Sequence, residues 1–223
     1  VKFQTHLSEY ETLKSAPRPT HFKNEGRYEY FKRTSFKFEE YIKLINSAKK
    51  NKILFLSSPF SVEAVDFLEK LKLKIYKVPS GEINNLPLLE KLKRTKKKIL
   101  LSTGMSSFDE IRTAYNALDK KNTIIMQCTS MYPCSLENAG INVLKILKKK
   151  FNCSVGFSDH TNGSEAAITS VMLGAKVIEK HITFSKKMYG SDAKYSMDLE
   201  DFEKFCKNIR NTEILLNNPV DKD

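Results

Sequence analysis

At 223 residues the chain has the length of a single α/β-barrel-sized domain, and 40% hydrophobic residues with 10% aromatics suffice for a sizeable core. No apolar run approaches the length of a membrane-spanning helix, so no membrane partner is expected. The net charge of +12 comes from 32 Lys against 6 Arg, clustered as at residues 93–98 and 148–150; that pattern suits solvated faces and attraction of a small anion better than a nucleic-acid surface.

The chain opens Val-Lys-Phe-Gln-Thr, without the charged-then-apolar pattern of a secretory leader. The four cysteines (Cys128, Cys134, Cys153, Cys206) form no CxxC. Cys128 and Cys153 fall in predicted strands, so buried reduced thiols in a cytoplasmic protein are expected rather than a disulfide framework.

In chain order, residues 1–5 read as the end of a strand that starts abruptly, which implies further sequence upstream. Residues 7–35 are polar and aromatic with Pro17 and Pro19, and read as a long excursion over one face. Residues 38–50 form an amphipathic helix with Tyr41, Ile42, Leu44 and Ile45 on its apolar side. A regular alternation follows: strand 53–57 and helix 62–71, strand 75–78 and helix 86–93, strand 99–102 and helix 108–118. Strand 123–128 precedes helix 141–149. The stretch from residue 155 to 183 then reads as strand, loop, helix, strand, with Leu173-Gly174 as the helix stop. A last helix spans about residues 199–216. Seven strands alternating with helices imply parallel β structure, one strand short of a (β/α)8 TIM-type barrel, with the first strand lying before residue 1.

In such a fold the C-terminal ends of the strands gather the chemistry. Here those ends are rich in hydroxyls: Ser57-Ser58, Pro79-Ser80-Gly81-Glu82, Ser102-Thr103-Gly104, Thr129-Ser130 and Ser158-Asp159-His160-Thr161. Lys2 and Lys77 sit inside strands, where an ammonium is costly unless it meets an anion. Each serine alone is as well explained as a helix cap. The set points to a phosphate or carboxylate site, with Gly81 and Gly104 in tight turns bringing backbone N–H groups near oxyanions. Two of the four histidines, His160 and His181, end successive strands, with Asp159 beside one and Glu179 near the other. Two readings stand open for them: strand-capping side chains, or half of a site for a borderline divalent metal.

Eight blocks carry a family resemblance: KFQTH at 2–6, SSPF at 57–60, YKVPSGEINNLP at 76–87, LLSTGM at 100–105, QCTSMYP at 127–133, GFSDHT at 156–161, LGAKVIEKHIT at 173–183 and GSDAKYSM at 190–197. In this order and spacing they resemble the sialic acid synthase family, whose members make N-acetylneuraminate, legionaminate and pseudaminate. The resemblance implies a (β/α)8 barrel that condenses phosphoenolpyruvate with an N-acylated amino-hexose and releases phosphate, using a divalent metal, Mn2+ above Mg2+ or Co2+. By the same resemblance His160 and His181 hold the metal. Phosphoenolpyruvate binding falls on Lys2, Ser58, Lys77, Ser80, Ser102, Ser130 and Ser158, and sugar contacts on Gln4, Tyr132 and Asp192. Ser58 stands where Thr is frequent in the family, and Ser130 where Asn occurs. Glu82, Lys77 and Asp192 are the catalytic candidates, with Glu82 placed either to steer water or to pair with Lys77.

The family's first strand, with its Glu-containing motif, and its C-terminal antifreeze-like domain are not found in residues 1–223. The expectation is therefore a fragment comprising strands two to eight of the barrel, homodimeric when full length. N-acetylneuraminate synthesis from N-acetylmannosamine is the first reading, with legionaminate or pseudaminate synthesis from a diacetamido hexose as alternative. Two other classes remain: another metal-dependent barrel enzyme, such as an aldolase or epimerase, and a non-catalytic metal- and anion-binding module.

Overall fold

Parallel strands and helices alternate along the chain in the structure, a computed structural model that describes residues 1–18, 25–190 and 192–222. They fall into two compact units: Val1–Leu101 with Ser107–Thr123, and Ser102–Ser106 with Ile124–Asp223.

The first unit begins with β1 (Lys2–Thr5), followed by α1 (Ser8–Glu11), α2 (Arg27–Thr34) and α3 (Phe38–Lys50). Then come β2 (Leu56–Pro59), α4 (Val62–Lys70), β3 (Ile75–Val78), α5 (Leu86–Arg94), β4 (Lys98–Ser102) and α6 (Phe108–Ala117). Strands β1 to β3 pair in parallel in chain order, as do β3 and β4. The helices bury residues at three- and four-residue spacing: Val65 and Leu68 on α4, Leu88, Leu89 and Leu92 on α5, Ile111, Ala114 and Tyr115 on α6. Each fully buried leucine contributes about 1.5–3 kcal/mol relative to exposure. Helix starts carry the caps their sequences suggest. Ser61 Oγ accepts from Ala64 N at 3.1 Å, and Ser107 and Glu110 form a reciprocal capping box on α6.

Within the excursion over residues 7–35 the described residues include two short helices, α1 and α2, with Tyr28 buried on α2. Pro19, part of that expectation, lies outside the described residues. Strand β2 begins at Leu56 rather than residue 53, because Lys52 adopts a left-handed conformation (φ 56°) and the Ile53 amide still donates to the Ala48 carbonyl of α3 at 2.8 Å. The apolar Ile53 and Leu54 therefore stay exposed in the connection.

The second unit holds β5 (Thr123–Cys128), α7 (Val143–Phe151), β6 (Val155–Asp159), α8 (Glu165–Met172), β7 (Ile178–Lys180) and α9 (Leu199–Asn217). Strands β5, β6 and β7 pair in parallel in that order. Phe157 packs with Ala139 and Ala166, while Ala167 of α8 meets Phe205 and Ile209 of α9. Glycine is needed at Gly156 on β6, since a Cβ there would stand 2.7 Å from the Val177 carbonyl oxygen and 3.2 Å from Met126 Cγ. Cys153 lies just before β6 rather than within a strand, and all four cysteines are free thiols.

Candidate active site

Strand pairing brings the two histidines together. Ser158 aligns with Glu179 and Asp159 with Lys180 across the β6–β7 pair, so His160 and His181, the next residues on each, leave the strands side by side. Their ring centroids are 5.5 Å apart. Tyr132 lies against the His160 ring at 4.1 Å and meets His181 edge-on at 5.9 Å. Tyr132, His160, His181 and Asp192 line one crevice, together with Asp159, Thr161, Lys180 and Tyr195.

His160 Nδ1 donates to the Thr129 carbonyl at 2.8 Å, with Cys128 Sγ 4.0 Å away. Burial pulls the pKa of this imidazole down, but the Cys128 thiol, the Thr129 carbonyl and the Glu179 carboxylate outweigh it, and the net shift is upward. His181 Nδ1 stands 3.9 Å from Asp192 Oδ2. The Tyr132 hydroxyl is pushed far up by burial, then by Cys128, Asp192 and Glu179, so it stays a neutral phenol.

The fixed Nδ1–H of His160 leaves its lone pair on Nε2, the form in which an imidazole ligates a metal. Among the described residues no group of three or more His, Cys, Asp or Glu could hold a metal ion. His160 and His181 present two neighbouring imidazoles, a donor set that suits a borderline divalent metal.

Other polar groups of this unit are firmly committed. Asp159 and Lys180 form a 2.8 Å ion pair with both side chains buried, and Asp159 Oδ1 also accepts from the Thr161 amide and hydroxyl. Ser158 donates to Glu179 Oε1 at 2.9 Å, so its hydrogen is already engaged. Ser130 is half-buried in the loop after β5, and Ser102 Oγ, at the end of β4, is buried without a hydrogen-bond partner. In the turn after β4 the left-handed residue is Met105 (φ 60°), not Gly104.

In the first unit, side-chain alternation sorts the strand residues. Phe3 packs on Phe55 and Phe36, and Thr5 bonds Tyr41 and Ser57, so Lys2 and Gln4 share the opposite face of β1. Ser57 takes the Thr5 side of β2, which turns Ser58 to the other face, aligned with Gln4. Ser58 Oγ is buried with no hydrogen-bond partner. Tyr76 on β3 bonds Glu69, and its neighbour Lys77, only 2% exposed, points to the reverse face. Ser80 and Glu82 follow in a 3-10 turn. Glu82 Oε2 accepts from Asn85 at 2.8 Å, and burial, outweighing that bond, raises its pKa.

Sequence reasoning singled out Asp159 and Glu179 as neighbours of the histidines but did not connect Lys180, Thr129 or Cys128 with them. A lysine aligned with an aspartate in the next strand is legible once the register is known. A backbone carbonyl acting on a histidine leaves no trace in residue types.

The match with the NeuB family model runs over residues 1–221. The chain is 39% identical over 204 residues to a protein named N,N'-diacetyllegionaminic acid synthase from Campylobacter jejuni, covering 89% of this chain and 61% of that protein. It is 34% identical over 224 residues to a pseudaminic acid synthase from Helicobacter pylori, covering 97% of this chain and 66% of that one. The chain thus spans about three fifths to two thirds of these relatives' length. A crystal structure of N-acetylneuraminic acid synthetase from Leptospira borgpetersenii, in complex with citrate, superposes with a TM-score of 0.87 at 29% identity, covering all of this chain and 75% of that one. The motifs, the parallel α/β order and the family match agree, and the chain belongs to the NeuB family.

Proposed function

We propose that the protein containing this chain is a nonulosonic acid synthase that condenses phosphoenolpyruvate with an N-acylated amino-hexose and releases phosphate. The observation that carries this reading is the pair of buried, unpartnered hydroxyls, Ser58 Oγ and Ser102 Oγ, at the ends of their strands. A buried polar atom without a partner costs about 1–3 kcal/mol, a cost that a bound anion removes. The buried Lys77 adds a cation to the same chemistry. Lys2, Ser80, Ser130 and Ser158 are proposed with these for phosphoenolpyruvate, and Gln4, Tyr132 and Asp192 for the sugar. In this reading the parallel strands belong to a (β/α)8 barrel.

In the reaction, C3 of phosphoenolpyruvate bonds to the aldehyde carbon of the open-chain sugar, whose oxygen takes up a proton. Water adds at C2, and cleavage of the C2–O bond releases phosphate. The lysines and hydroxyls hold the two anionic groups and stabilise charge as it builds. In this reading Glu82, with its raised pKa, exchanges a proton with water. Tyr132, kept neutral, donates to sugar oxygen, and Asp192 accepts from a sugar hydroxyl. A divalent metal, Mn2+ in the first instance, bound at His160 and His181 would supply Lewis acidity toward the sugar aldehyde.

N-acetylmannosamine was the acceptor expected from the motifs. The relatives' names lean instead toward legionaminic and pseudaminic acid synthases, so the proposal is made for the N-acylated amino-hexose class. A cytoplasmic location and a homodimeric state go with the family reading and are proposed on that ground alone. Among the described residues no helix is long and apolar enough to cross a membrane.

The test is phosphate release by the intact protein with Mn2+ and phosphoenolpyruvate, offering N-acetylmannosamine and 2,4-diacetamido hexoses in parallel. Release that requires one sugar and disappears in His181→Ala supports the synthase and names its acceptor. Metal binding without release for any sugar would leave the non-catalytic binding module in its place.

A further inference from the structure

His6, directly after β1, has no part in the reading above, yet its surroundings are tightly built. Its ring is sandwiched between Phe31 and Phe60, with centroids 3.6 and 4.0 Å away, and it is 8% exposed. Nδ1 lies 2.7 Å from Glu11 Oε1, and Nε2 lies 3.3 Å from Gln4 Oε1. The Glu11 side chain is 4% exposed, and its second oxygen, Oε2, is buried with no hydrogen-bond partner. The Ser35 hydroxyl anchors the His6 carbonyl at 2.7 Å.

Both ring nitrogens thus face side-chain oxygens, and the ring links Glu11 to Gln4. Because Gln4 offers its carbonyl oxygen to His6, its amide NH2 turns the other way, on an exposed side chain. A ring with a lone pair on Nε2 would reverse the amide and present the carbonyl outward instead. The direction of one carboxamide is therefore set by a buried hydrogen-bonded pair two and seven residues along the chain from it.

We infer that the Glu11–His6 pair is a positioning device that fixes the Gln4 carboxamide with its NH2 outward, as a donor to an oxygen of the acceptor sugar, a hydroxyl or the N-acyl carbonyl. The inference rests on the synthase reading for the role of Gln4. His6 and Glu11 act through Gln4 and do not themselves touch substrate.

The experiment is a double-mutant cycle on the intact protein with Glu11→Gln and Gln4→Ala, reading kcat, separate KM values for sugar and phosphoenolpyruvate, and sugar affinity by calorimetry. Glu11→Gln is expected to weaken sugar binding about tenfold, the loss of one oriented hydrogen bond, with the phosphoenolpyruvate KM unchanged. In the Gln4→Ala background it is expected to add nothing. Additive losses, or equal changes in both KM values, would overturn the inference. Thr12→Val, which removes a buried hydroxyl without a partner on the same segment, is the packing control and should leave both KM values as they are. If Glu11→Gln does not fold, His6→Gln enters the same cycle with the same expectation. Sugar binding without phosphate release by the unsubstituted protein would overturn the synthase alone, with the cycle then read from affinities. Absence of both would overturn the two together.

Discussion

His160 gives its Nδ1 hydrogen to the carbonyl of Thr129 at 2.8 Å, and so turns Nε2 into the nitrogen available to a metal. Proton and metal compete for that one lone pair. With the His160 pKa lifted above 6.5, net of burial, protonation begins to compete already near neutral pH. Metal affinity should be full in mildly alkaline buffer and fall as pH drops through the raised pKa, by about tenfold per unit once the ring is mostly protonated. Mn2+ titrations at several pH values check this. Affinity that stays level from pH 8 to 6 would remove His160 from the ligand set.

Ser58→Ala and Ser102→Ala separate binding from folding. Each deletes a buried hydroxyl that has no hydrogen-bond partner, so thermal stability should hold or rise slightly. Each should also remove a donor to an anion, a bond to a charged group worth about 1.5–3 kcal/mol. The phosphoenolpyruvate KM is then expected to rise by about tenfold or more. A fall in Tm with KM unchanged would make these serines structural.

The Asp159–Lys180 pair should respond in the opposite way. Lys180→Met strands a carboxylate whose side chain is fully buried, at a cost of about 3–5 kcal/mol. Adding Asp159→Asn should restore much of the loss, because an amide still accepts from the Thr161 amide without carrying charge. Denaturant unfolding of the single and double variants measures this. Equal destabilisation in both would mean that the lysine contributes through packing, as over Phe205.

Glu82 gives a pH-dependent test. Its pKa in the folded protein is raised by burial, so folding binds its proton more tightly than the unfolded chain does. The group is least unfavourable below its ordinary pKa of 4.5, and it disfavours the fold progressively as pH rises through the raised value. Glu82→Gln keeps an acceptor for Asn85 and removes the charge. Its Tm should gain on the unsubstituted protein between pH 4 and 7, while phosphate release declines. A constant Tm difference across that range would contradict the raised pKa.

Period and punctuation made most of the elements legible. Helix Phe38–Lys50 and strands Ile75–Val78 and Thr123–Cys128 match the structure residue for residue, since the strands are mostly apolar runs buried almost throughout and caps or turns flank all three. The helices α1 and α2 inside the excursion 7–35 were not legible in it, because tertiary contacts such as Phe31 against the His6 ring hold them in place. Strand β2 was misplaced because Ile53 and Leu54 look like strand residues, yet the left-handed Lys52 delays the strand. The histidine pair was legible from its place after two successive strands. The commitment of Ser158 to Glu179 was not, because it depends on strand register.

At Gly156 the β6 backbone approaches so closely that a Cβ would sit 2.7 Å from the Val177 carbonyl oxygen. The same two strands carry His160 and His181 at their ends, so this contact gauges the span between the two imidazoles. A methyl group added there would wedge the strands apart and lengthen that span with both rings chemically intact. The spacing of the two imidazoles is thereby tied to a residue that has no side chain of its own.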